Sequence, residues 1–167
     1  MEHDIDWDTL WLSAVILFAM KSKDQHTKVG AVIVDSTNTL VQMGFNSPPR
    51  RVDDNIPSRF ERPKKYEYME HAERNAIYNC ARLGVSPMGC RLYTNSLPCV
   101  PCARAIIQAG INEVILWSPF EVDCIFDDYD HPVSREMFFE AGVTVRISPA
   151  PIVKYLRGLR RGKRICG

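Results

Sequence analysis

Three things are missing from this 167-residue sequence, and each absence excludes a class of protein. There is no apolar run long enough to cross a bilayer: the longest, Leu10 to Met20, is broken by Ser13 and falls well short of the ~20 residues a spanning helix needs. There is no surplus of charge. Twenty-one Lys and Arg face twenty Asp and Glu, a net charge of +1, so no overall field draws in nucleic acid or an acidic membrane, and any basic site must be local. Internal repeats, low-complexity tracts and an interdomain linker are also absent. The first residues, Met1, Glu2, His3 and Asp4, lack the basic stretch of a secretory leader, so a cytoplasmic chain is expected.

What remains is the balance of a soluble globule, with 46% hydrophobic and 25% charged residues, of a length that suits one domain over residues 1–167. The six cysteines are Cys80, Cys90, Cys99, Cys102, Cys124 and Cys166. In a reducing compartment they serve as buried thiols or metal ligands rather than disulfides.

Hydrophobic periodicity predicts the elements. Trp7 to Met20 carries Trp7, Leu10, Trp11, Ala14, Val15, Leu17 and Phe18 at spacings of three and four, a helix with one broad apolar face. Val29 to Val34 and Leu40 to Phe45, joined by a polar turn from Asp35 to Thr39, form an antiparallel hairpin. Four prolines between Phe45 and Met69 leave a long loop. His71 to Leu83 is helical and stopped by Gly84. Strand and helix then alternate: Arg91 to Asn95, Pro101 to Ala109, Glu113 to Trp117, Val133 to Ala141 and Val143 to Ile147. Such units pair in parallel with right-handed crossovers. The expected architecture is a three-layer α/β/α sandwich around a mixed five-stranded sheet whose first hairpin is antiparallel.

Two segments carry chemistry: His71-Ala72-Glu73, and Pro98-Cys99-Val100-Pro101-Cys102. Zinc favours thiolate and imidazole, and a catalytic ion keeps one position open, so three protein ligands are the expected number. His71, Cys99 and Cys102 supply three. Residues three apart on a helix differ by about 60° in azimuth and ~4.5 Å in rise, so both thiols can face one ion from a first turn, where the helix dipole favours thiolate. A fourth ligand would close the site. Cys80 fails as that ligand, because nine residues past His71 on one helix it lies about 180° around and ~13.5 Å along. Cys90, Cys124, Cys166, His26 and His131 remain open on this ground. Residues two apart diverge by about 200° on a regular helix, so His71 and Glu73 share a ligand only if the motif straddles the helix start. A carboxylate there can take a proton from an activated water and deliver it to a ring nitrogen and a leaving amine, which is hydrolytic deamination. An acid in a first turn can also simply complement the dipole.

Taken together the two segments match the H-x-E and P-C-x-x-C signature of zinc deaminases. From Asp24 to Arg146 the chain resembles the cytidine and deoxycytidylate deaminase superfamily, and most closely its deoxycytidylate (dCMP) branch. The resemblance runs through Lys23-Asp24, Lys28 to Val34, Gly44-Phe45-Asn46, Lys65 to Tyr68 and Pro98 to Ile111. It implies the same fold, zinc ligands His71, Cys99 and Cys102, Glu73 as the catalytic proton shuttle, and substrate contacts from Asn46 to the deoxyribose hydroxyl and from the backbone at Ala72 and Ser96 to the cytosine edge. It also implies a homo-oligomer, hexameric or dimeric. Many relatives carry Gly-x-Pro-x-Gly after the asparagine, a stretch associated with nucleoside triphosphate control, whereas this chain reads Ser47 to Arg51 without it. A second, structural zinc has no evident ligands, since His3 and His26 have no cysteine near them, so one Zn2+ per chain is expected.

The loop after Asn46 holds Arg50, Arg51, Arg59, Arg62, Lys64 and Lys65, candidates for a 5′-phosphate among Asp53, Asp54, Glu61 and Glu67. A basic segment from Lys154 to Arg164 fits a docking helix or subunit contact better than nucleic acid. The leading expectation is zinc-dependent deamination of dCMP to dUMP for pyrimidine nucleotide supply. Deamination of a polynucleotide base, or of a free base or nucleoside, is the rival within this chemistry. A zinc-stabilised binding protein without catalysis is the rival outside it.

Overall fold

The computed structural model describes residues 5–117 and 131–148. The expected basic segment from Lys154 to Arg164, together with Cys124 and Cys166, lies outside the described residues. Helices α1 (Trp7–Ala19), α2 (Lys65–Tyr68), α3 (Ala72–Leu83), α4 (Val100–Gln108) and α5 (Pro132–Glu140) surround five strands. These are β1 (Gly30–Val34), β2 (Leu40–Phe45), β3 (Arg91–Thr94), β4 (Glu113–Trp117) and β5 (Thr144–Ser148), in the spatial order β2-β1-β3-β4-β5. β1 is antiparallel to both β2 and β3, whereas β3, β4 and β5 run parallel, as the strand–helix alternation predicts. The long loop is interrupted by a 3-10 turn at Pro57–Phe60 and by the single turn of α2.

Successive strand residues point to opposite faces, so β1 feeds two cores and is buried throughout. Ala31 and Ile33 join Leu92, Val114 and Leu116 beneath α3, α4 and α5. Val32 and Val34 join Tyr93, Ile115 and Trp117 beneath α1. The three layers follow directly.

The phase of α1 differs from expectation. Leu12, Val15, Ile16 and Ala19 face the sheet, while Trp7, Leu10 and Leu17 are exposed. Apolar residues surround this helix, so periodicity alone leaves several faces in competition. Gly30 selects among them: a Cβ there would stand 2.1 Å from the Val15 carbonyl oxygen, so the missing side chain lets this side of α1 settle on β1.

Candidate metal centre and active site

The first turns of two helices, α3 and α4, create the site. His71 occupies the N-cap of α3 in extended conformation (φ −78°, ψ 154°), and Glu73 is the second residue inside the helix. The motif therefore straddles the helix start, which is what allows two side chains so close in sequence to converge. Cys99 is likewise the N-cap of α4, with Pro101 in the first turn and Cys102 following it. Proline suits that turn because its missing N–H would find no partner there.

His71 Nδ1 lies 3.4 Å from Cys99 Sγ and 3.5 Å from Cys102 Sγ, and the three donor atoms lie within 4.8 Å of one another. Zinc bonds of about 2.3 Å to sulfur and about 2.0 Å to nitrogen, set at a tetrahedral angle, demand an S···N edge of roughly 3.5 Å. The donor set fits zinc in kind and in spacing. No fourth His, Cys, Asp or Glu joins the group among the described residues, and His26, Cys90 and His131 stand outside it. Cys80 is buried in the core beneath α3, where burial pushes its thiol up to about 11, an environment for an inert thiol rather than a ligand.

The electrostatics concentrate around the same atoms. Cys99 is pulled down to about 4, first by the hydrogen bond with Cys102 and then by that with His71. Cys102, in turn, is held up by the neighbouring Cys99 sulfur and by burial. The bond to Cys99 raises His71 above its ordinary value. Glu73 is 3% exposed, its Oε2 3.6 Å from Cys102 Sγ, and desolvation raises its carboxyl while His71 opposes the rise.

Helix α3 is held against β2 by two asparagines one turn apart. Asn75 Nδ2 donates to the Phe45 carbonyl at 2.8 Å, and Asn79 Nδ2 donates to that of Met43 at 2.8 Å. Beside the helix start, Ser47 and Glu70 exchange two backbone hydrogen bonds. Neither clamp was recognised in the sequence, although Asn-x-x-x-Asn at helical spacing was its visible trace.

A cavity of about 190 Å3 opens over these groups. It brings Asn46, Ala72 and Ser96 together with His71, Glu73 and Cys99, and adds Thr27, Arg62, Lys65, Tyr66 and His131 to the walls. Of the cationic loop residues, Arg62 and Lys65 reach it. Arg50 pairs instead with Asn79, and Arg59 lies over the Tyr68 ring. Asn46 is 7% exposed; its Oδ1 accepts from Val29 N at 2.8 Å and its Nδ2 donates to Thr27 O at 2.9 Å.

Residues 5–118 match the family model of the cytidine and deoxycytidylate deaminase zinc-binding region. The chain belongs to this deaminase family. Among relatives, it is 39% identical over 147 residues to the deoxycytidylate deaminase of Pongo abelii, covering 85% of this chain and 79% of that one. It is 36% identical over 150 residues to an uncharacterised deaminase of Aliivibrio fischeri, covering 89% and 97%. A solved dCMP deaminase of the cyanophage S-TIM5, in complex with dCMP and dUMP, superposes with a TM-score of 0.70 at 22% identity over 88% of this chain and all of that one, which establishes the shared fold. The family is a zinc deaminase family, and His71, Cys99 and Cys102 are the group in this member that can hold the ion. No helix among the described residues is long and apolar enough to cross a membrane.

Proposed function

We propose that this deaminase converts dCMP and water to dUMP and ammonia, as a single catalytic domain serving the cytoplasmic nucleotide pool. The observation that carries the reading is the buried Glu73 carboxyl beside the His71, Cys99 and Cys102 donors at the head of one cavity. Zinc, when bound by those three side chains, supplies the Lewis acidity that makes water nucleophilic at neutral pH. Glu73 Oε2 takes a proton from the attacking water as the bond to cytosine C4 forms. It hands that proton to N3, then carries the remaining proton of the C4 hydroxyl to the amine, so that the C4–N bond breaks, ammonia leaves and the C4 carbonyl forms. Burial supports this role, because a carboxyl held above its ordinary range can both accept and return a proton.

The backbone at Ala72 and Ser96 meets the edge of the base. Asn46 has spent one N–H and one lone pair on Thr27 and Val29, which leaves one of each for the sugar hydroxyl. Arg62, in the cavity wall, meets the 5′-phosphate. The homo-oligomer belongs to the same reading and is supported by Trp7, Leu17 and Met20, each more than half exposed on α1 and at its C-cap. Light scattering on the purified chain tests it.

Ammonia release measured side by side from dCMP, CMP, deoxycytidine, dCTP and a cytosine-containing DNA oligonucleotide tests the substrate. The highest kcat/KM belongs to dCMP. Preference for the oligonucleotide or the nucleoside would overturn the proposed substrate, and release from none of them would leave a zinc-stabilised binding protein.

A further inference from the structure

One wall of the cavity contains a charged pair that the deamination chemistry does not use. Asp24 and Lys65 are 2% and 6% exposed, and Lys65 Nζ donates to Asp24 Oδ2 at 2.7 Å. The other carboxylate oxygen is occupied as well: Asp24 Oδ1 accepts from the backbone N–H of His26 at 2.8 Å and of Thr27 at 3.2 Å. Asp24 thus shapes the turn that delivers Thr27 to the cavity. Lys65 opens α2, the single turn between Arg62 and His71.

The two sides of the cavity are built differently. His71, Glu73, Cys99 and Cys102 stand on the first turns of α3 and α4, and the core beneath those helices secures them. Thr27, Arg62, Tyr66 and Met69 stand on two segments outside the sheet, residues 22–29 and 46–70. Asp24 and Lys65 join those segments side chain to side chain across the cavity wall. In general, removing two charges from water takes as much as their attraction returns, and an apolar pair of the same shape is often at least as stable. Such a pair contributes fixed position more than stability.

We infer that Asp24 and Lys65 are positioning residues for the nucleotide: the ion pair sets the distance between the Thr27 turn and the Arg62–Tyr66 turn, and thereby the fit of the sugar-phosphate part of the substrate. The inference rests on the proposed dCMP reaction. The pair itself offers little net charge to an anion, because each partner neutralises the other.

The test compares the wild type with Asp24→Asn, Lys65→Met and the double variant, each loaded with zinc. Either single change strands a buried charge or donor and lowers the melting temperature. Asp24→Asn with Lys65→Met removes both charges while the asparagine oxygen still accepts from His26 and Thr27, and strands only one neutral amide donor, so the double variant keeps its zinc and melts above both single variants. A purely structural pair would then recover fully. A positioning pair does not: KM for dCMP stays about tenfold or more above wild type while kcat remains within about threefold, because the metal side of the cavity is untouched. Hydrogen exchange supplies a readout independent of turnover, with the amides of Met69 and Glu70, which donate to Lys65 and Ser47, losing protection in the double variant. Wild-type KM in that variant, or a fall in kcat with KM unchanged, would overturn the inference. A wild-type protein that fails to deaminate dCMP would instead sink the proposed substrate, and the exchange result would still judge whether the Asp24–Lys65 pair fixes the two segments.

Discussion

Gly44 of β2 lies against the first turn of α3 so closely that a Cβ would stand 2.3 Å from the Ala72 carbonyl oxygen and 2.5 Å from the Ala76 nitrogen. Both are backbone atoms, so no side chain can move aside. The missing side chain is what lets the head of α3, with His71 and Glu73, sit close over the sheet. Gly44→Ala should therefore displace that helix, destabilise the fold by about 1–3 kcal/mol and lower both zinc content and turnover. Gly30→Ala is the matched control, since its Cβ would meet the Val15 carbonyl oxygen of α1 on the opposite face. It should lower the melting temperature with zinc content retained. Equal zinc loss in both variants would show that the effect is global unfolding rather than movement of α3.

Glu73→Gln separates chemistry from metal binding. The glutamine keeps the shape of a buried side chain and leaves His71, Cys99 and Cys102 intact, so folding and zinc content are retained. Loss of the proton carrier should reduce kcat by about 10²–10⁴-fold. Cys99→Ala should show the opposite pattern and lose the metal itself. Near-normal turnover in Glu73→Gln would remove Glu73 from the reaction, and full zinc occupancy in Cys99→Ala would dissolve the ligand set.

Much of this site was legible because its determinants are local. A cap position is short in sequence, and His71 to Glu73 and Cys99 to Cys102 announced both helix starts and the donor types that zinc prefers. The parallel pairing of β3, β4 and β5 followed from strand–helix alternation for the same reason. The buried face of α1 was not legible, because apolar residues encircle that helix and a glycine on another element selects among its sides. The Asp24–Lys65 pair was equally hidden. Its partners lie 41 residues apart, in a stretch dense with charges of both signs, and nothing in the local pattern distinguishes a buried lysine from a solvated one.

On the other face of the sheet, Asp8 accepts from Arg146 of β5 and from the Tyr93 hydroxyl at 2.9 Å, while Arg146 Nε also donates to Glu113 at 2.6 Å. The bond from Arg146 is the leading reason that the Asp8 carboxyl is held below its ordinary value. A depressed carboxyl stabilises the fold above its unfolded pKa, near about 3.9, and that contribution is lost as pH falls through the lower folded value. Asp8→Asn should therefore reduce stability by about 1 kcal/mol at pH 7, a figure discounted for solvent screening of a partly exposed pair. The difference between variant and wild type in urea midpoint should narrow as pH falls below about 4. A constant difference across that range would show that Asp8 acts through packing rather than through its charge.

Metal removal separates Cys99 from the core thiols. Cys99 is half-buried at the cavity, whereas Cys80 and Cys90 lie in the core, where burial raises both thiols and carries Cys80 to about 11. Thiolate, not thiol, reacts with an alkylating agent, so accessibility and ionisation act in the same direction here. After chelation at neutral pH, iodoacetamide should label Cys99 ahead of Cys80 and Cys90, which stay protected until denaturant is added; peptide mass mapping of these three sites reads the order. Zinc restored before labelling should protect Cys99, because donation to the ion lowers the nucleophilicity of the thiolate, and should raise the melting temperature in proportion to the logarithm of free zinc above its dissociation constant. Labelling of Cys99 at the same rate with and without zinc would show that the ion, if it binds at all, binds elsewhere.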